Sequence, residues 1–185
     1  EETGKKRLKL LTAWQMTMPG APCIYYGDEV GVTGGKDPDN RRTYPWGREN
    51  EDLIRFYQGI IAVHRNHTAL RTGSLKLLYK DYNVLAYGRF NEEEQIIVLV
   101  NNRQEDYYME VVVWPAGLNR YAHKDSLTRI FRCDRDGYSG DTEEVPVEAG
   151  VLKTTIPASG ALVFAHKSEN PDDVAIYDLK RKAHR

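Results

Sequence analysis

The chain has 185 residues, 41% of them apolar and 29% charged, with a formal net charge of −1, enough for one hydrophobic core, or for one small domain with part of another. Such balance gives no long-range field to recruit nucleic acid or an anionic membrane surface, and neither partner is expected. No stretch of eighteen apolar residues occurs, so no helical membrane span is expected either.

The first residue is Glu1, and residues 5–18 already carry a helical pattern, so the chain is expected to begin inside a larger protein. No leader is assigned, and cytoplasmic and secreted bacterial settings both stay open. In that first helix Leu10, Leu11, Trp14 and Met18 recur at spacings of three and four. Pro19-Gly20 should stop it, because Pro cannot continue the hydrogen-bond ladder. The apolar run at 23–26 then has the composition of a strand buried on both faces.

From residue 27 to 49 the periodicity disappears among Gly, Pro, Asp, Asn and Arg; so long a loop in a compact domain is usually functional. A second helix is expected over 51–66, capped by Asn50, with Ile54, Tyr57, Ile61 and His64 marking one face and Leu53 and Ile60 beside them. After Thr72-Gly73 the period becomes two, with strands expected at 75–79, 84–90, 95–100, 108–114, 151–156 and 161–166. Several short strands in succession suggest an antiparallel sandwich. Residues 132–144 read as a long surface loop, 169–173 as a linker and 174–185 as a basic tail. A helix, one buried strand, a loop and a helix cannot close a parallel sheet by themselves, so residues 1–72 read as a piece of an α/β domain and 73–168 as a complete sandwich.

Residues 15–46, QMTMPGAPCIYYGDEVGVTGGKDPDNRRTYPW, closely resemble a stretch of the alpha-amylase family, in its neopullulanase, cyclomaltodextrinase and amylopullulanase branch. In that family a helix ending in Met-Pro-Gly leads into the last strand of a (β/α)8 barrel, whose signature is matched by Tyr25-Tyr26-Gly27-Asp28-Glu29. The segments VLAYGRF and IIVLVNN resemble the sandwich that follows the barrel. The resemblance therefore implies an α+β fragment: last strand and helices of the barrel at 1–72, β-sandwich at 73–168, linker and tail at 169–185.

It also implies a hydrolase of alpha-glucans with a retaining mechanism, an Asp nucleophile, a Glu acid/base and a third Asp. All three should lie before residue 1, so no catalytic residue is assigned here and the isolated chain is expected to be inactive. Asp28 and Glu29 are adjacent and, on a strand, would point to opposite sides, so they are read as structural. The family's Asp-x3-Arg spacing is matched by Asp37 and Arg41, which would contact bound oligosaccharide; a salt bridge that only shapes the loop is the competing reading. Trp46 is either a stacking platform for a sugar or a packing residue under the loop. No cofactor or metal is assigned to this chain, while calcium in the larger protein is left open.

Other features have plain readings. Cys23 and Cys133 match no zinc or redox spacing and read as buried free thiols, with a bridge as the alternative. His64 and His67 stand at metal-like spacing, but without companion ligands they read as helix-end histidines. The KRKAHR terminus reads as a solvated end in preference to a phosphate-binding patch. Tyr107, Tyr108 and Trp114 would mark a saccharide platform if the sandwich were a carbohydrate-binding module, the alternative to an enzyme part. Without the rest of a barrel, residues 5–66 should be mobile, self-associated or packed on the sandwich.

Overall fold

A computed structural model of the chain describes residues 2–116 and 125–167. The linker and the basic KRKAHR terminus expected at 169–185 lie outside the described residues.

Helix α1 spans Glu2–Thr17 and α2 spans Glu51–Asn66. The start of α2 follows from its sequence: the Asn50 side chain accepts the Leu53 N–H, and Glu51 and Asp52 lie in the positive first turn. Its buried face is Leu53, Phe56, Tyr57 and Ile60: Tyr57 is expected there, with Leu53 and Ile60 beside it, while Phe56 is not. In α1 the buried positions are Leu10, Thr12, Ala13, Met16 and Thr17, while Leu11 and Trp14 are exposed. Trp14 and Leu11 share spacing with the buried residues but not their partner surface. A short α3, Thr68–Thr72, follows directly.

The strands are β1 Ser74–Lys80, β2 Val84–Phe90, β3 Glu94–Asn101, β4 Tyr107–Val112, β5 Asp125–Cys133, β6 Tyr138–Ser139, β7 Glu143–Glu148, β8 Val151–Ile156 and β9 Gly160–Lys167. Hydrogen bonding links them antiparallel in the order β1-β2-β3-β9-β5-β7-β8-β4, with β6 on β5. The sheet folds over itself. Ala86, Ile97, Leu99 and Phe164 on one side meet Met109, Val111, Leu152 and Ile156 on the other, forming the sandwich core.

The opposite face of β2, β3, β9 and β5 receives the helices. Leu10, Ala13, Phe56, Ile60 and Leu70 join Tyr87, Val98, Phe131 and Val163 in a second continuous core. Phe56 lies 6.0 Å, centroid to centroid, from Phe131. Each large apolar side chain buried there contributes about 1.5–3 kcal/mol. Packing on the sandwich, one of the three fates expected for residues 5–66, is seen for the helices.

Two expectations are corrected. Residues 23–26 form no strand: the segment has strand composition, but among the described residues no strand pairs with it, and Tyr25 and Tyr26 are exposed. The loop expected at 132–144 is instead occupied by the end of β5, by β6 and by the start of β7. Cys133 is buried and Cys23 exposed, both free, so the thiols share a redox state but not an environment.

Candidate functional site

The 27–49 loop is built by local devices. Gly27 adopts φ 93°, which lets the chain turn into a 3-10 turn at Asp28–Val30. Its N–H donates to Glu29 Oε2 at 2.9 Å, and burial, then the Glu29 charge, raises the Asp28 pKa above the usual carboxylate value. Both carboxylates therefore lie on a turn, not the strand expected, and Glu29 is engaged in holding it. A Cβ on Gly34 would sit 2.7 Å from Asn40 Cα, so only glycine lets the two arms of the loop approach.

Asp39 is the loop's internal anchor. Arg42 donates from Nε to Oδ1 at 2.9 Å and from Nη2 to Oδ2 at 2.8 Å, and the Gly35 N–H also donates to Oδ2. The Arg42 hydrogen bond first, then that of Gly35, holds the Asp39 carboxyl below its usual pKa. The Tyr26 hydroxyl donates to the Arg42 carbonyl at 3.0 Å, fastening the loop tip to its own root. Reading the sequence alone missed Tyr26, Asp39 and Arg42 as the structural set; the Asp-x2-Arg spacing is the signal that could have found them.

Asp37 and Arg41 form an ion pair of 3.1 Å with side chains 62% and 69% exposed respectively. An ion pair so exposed adds little to stability, and both groups keep open faces toward solvent. Trp46 is 80% exposed, so it does not pack under the loop. Its ring lies 4.5 Å from that of Tyr44, tilted by 48°. The three candidate residues thus share one loop, with charged fork and aromatic ring both accessible.

The remaining candidates separate. His64 Nδ1 donates to the Met16 carbonyl at 2.7 Å, whereas His67 Nδ1 faces Glu94 Oε2 at 2.8 Å, so the two rings serve different partners. Among the described residues no group of three His, Cys, Asp or Glu side chains converges as a metal site. Neighbours on β4, Tyr107 and Tyr108 point to opposite faces: Arg103 covers the Tyr107 ring at 4.6 Å, while the Tyr108 hydroxyl donates to Glu110. They form no common platform.

A helix, a Gly-rich loop bearing Asp, Arg and aromatic side chains, a second helix and an antiparallel sandwich, in that order, match an amylase-family C-terminal region. The family model for the alpha amylase catalytic domain matches residues 1–114, and the chain belongs to the alpha-amylase family. It is 54% identical over 84 residues to an amylopullulanase of Thermoanaerobacter thermohydrosulfuricus, covering 45% of this chain and 6% of that protein. Likeness to neopullulanase 2 of Thermoactinomyces vulgaris runs further, at 35% identity over 163 residues, 85% of this chain and 25% of the relative. A solved alpha-amylase from Geobacillus thermoleovorans, complexed with acarbose, superposes with a TM-score of 0.75 over 90% of this chain and 34% of that one. At 23% identity the latter speaks to the fold alone. The chain spans a quarter or less of the length of these two sequence relatives.

Proposed function

We propose that this chain is the C-terminal portion of a hydrolase of alpha-glucans, and that its 27–49 loop holds saccharide through Asp37, Arg41 and Trp46. The observation that carries this reading is the open presentation of all three on one internally braced loop. An Arg–Asp fork offers directional donors and acceptors to vicinal hydroxyls, and an indole face covers the apolar face of a pyranose.

In this reading the chemistry is a retaining double displacement through a covalent glycosyl-enzyme, with nucleophile and acid/base supplied by the rest of the enzyme. The isolated chain binds without cleaving. We assign it no cofactor, and any calcium belongs to the rest of the enzyme. In the full-length enzyme, Arg41→Ala should lower kcat/KM for maltooligosaccharides about tenfold, the loss of one charged hydrogen-bonding group. An unchanged kcat/KM would remove the binding role and leave only a loop-shaping ion pair.

A further inference from the structure

The sandwich contains a split that the sequence explains. Strands β7 and β8 are joined by a two-residue turn, Ala149-Gly150, both at positive φ (51° and 76°). The ladder between them holds only two pairs, Glu148↔Val151 and Val147↔Leu152. Hydrogen-bonded and non-hydrogen-bonded pairs alternate in such a ladder. With Glu148↔Val151 closing the turn as a bonded pair, the next bonded pair would be Pro146 with Lys153. Proline has no N–H to give. The strands part at that residue, β7 staying on β5 and β8 on β4.

Between them opens a cleft of about 350 Å³ into the end of the sandwich interior. Arg129 and Arg132 stand opposite Phe164 and Leu162 in the β5–β9 register, and paired residues share a face, so both guanidinium groups lie on the side of the sandwich core. Arg129 Nη1 pairs with Glu143 at 2.5 Å. Facing them is Thr154 of β8, opposite the core residue Met109 in the β4–β8 register, with Asp106 beside, its Oδ1 taking the Ala158 N–H.

We propose that this cleft is a second saccharide-binding site, separate from the 27–49 loop. Its wall mixes donors (Arg132, Thr154) with acceptors (Asp106, Glu143), over aliphatic surface from Val145 and Pro157. The carboxylates disfavour a free anion, and the charged groups disfavour an apolar ligand. A neutral ring with hydroxyls at its edge and C–H groups on its face satisfies both surfaces. The site rests on this geometry; that its saccharide is an alpha-glucan rests on the function proposed above.

The test is a titration of the chain with maltotriose, followed by amide NMR shifts, with parallel calorimetry on variants. Saturable shifts are expected at 153–155, with Arg132→Ala and Thr154→Val each weakening that binding about tenfold. Trp46→Ala should leave these shifts unchanged. Pro146→Val restores the missing N–H without touching a polar group of the wall. Extra amide protection at Lys153 accompanied by loss of maltotriose binding would support the split as the cause of the site. Shifts confined to 37–46 would overturn the cleft and leave the loop reading intact; shifts confined to the cleft would do the reverse. Saturation by inorganic phosphate in place of maltotriose, or undiminished affinity in the folded Arg132→Ala chain, would also overturn the proposal.

Discussion

Arg89 is 1% exposed and, among the described residues, has no carboxylate as a hydrogen-bond partner. Its Nη1 donates to the Thr17 carbonyl at 2.9 Å and its Nη2 to the Gly73 carbonyl at 3.1 Å. These are the last residue of α1 and the residue following α3, so one guanidinium satisfies carbonyls at the negative ends of two helices. Burial lowers the Arg89 pKa from its ordinary value, a sign of the desolvation that opposes this arrangement. Replacement by Met keeps an unbranched apolar stem and removes the charged head, setting the two effects against each other. Two buried acceptors left without donors cost about 1–3 kcal/mol each, while release of the buried cation returns part of that. The expected net loss is about 3 kcal/mol, roughly a hundredfold in the unfolding equilibrium. Urea unfolding monitored by circular dichroism measures it, and amide exchange should quicken first in the last turn of α1. A midpoint equal to or above that of the parent chain would mean that desolvation outweighs the two carbonyl bonds, and the reasoning would fail.

Glu94 accepts from the Ala69 N–H at 2.9 Å, from Thr68 at 3.1 Å and from His67 at 2.8 Å, seating α3 on β3. Burial works to raise its pKa, but the hydrogen bonds from Ala69 and His67 win and the folded value lies below the ordinary 4.5. A depressed carboxylate adds stability that is full above about pH 4.5 and is lost as pH falls through the folded value. Glu94→Gln should therefore flatten the acid limb of the urea midpoint against pH; an unaltered limb would refute the assignment. Asn101 is fully buried, and its side chain donates to the carbonyls of Glu105 and Pro157 while accepting the Arg103 N–H. Asn101→Ala should cost about 2–4 kcal/mol in denaturant unfolding by orphaning these groups. Burial pushes the Cys133 thiol up to about 12, whereas Cys23 is exposed. A thiol reagent at neutral pH should label one cysteine quickly and the other only on unfolding; two equal rates would contradict the buried placement.

Elements whose pattern depends on neighbours along the chain were legible. The expected strands 84–90 and 151–156 coincide with β2 and β8, and α2 has the bounds its cap implies. Strands β5 and β7 were not legible, for physical reasons. In β5 a register shift between Arg129 and Phe131 puts Leu127 in the sandwich core and Phe131 in the helix-facing core, which destroys the period of two. In β7 Pro146 argues against a strand until one knows that its missing N–H faces the split. The loop residues Asp37 and Arg41 could be singled out from resemblance, but their pairing and exposure, and that of Trp46, required coordinates. The Cys23–Tyr26 stretch shows the converse: composition announces a strand that exists only when partners flank it.

The sandwich can serve the loop either as a cover for apolar surface or as a jig that fixes its position, and the polar contacts decide between these roles. Apolar burial is non-directional and tolerates sliding of a helix along a sheet. The end of α1 is not free to slide. His64 holds the Met16 carbonyl, Arg89 holds that of Thr17, and the Thr17 hydroxyl meets the Tyr87 hydroxyl at 2.5 Å. Two of these three grips come from β2, immediately before Pro19 leads the chain toward Tyr26. Tyr26 then fixes the Arg42 carbonyl, and Arg42 fixes Asp39 within the braced loop. The strand bearing Tyr87 and Arg89 is thus connected by directional bonds, link after link, to the loop that presents Asp37, Arg41 and Trp46. Simple coverage requires only apolar contact; Arg89, buried without a counter-ion among the described residues, is understandable only if the register of α1 on the sandwich has to be held.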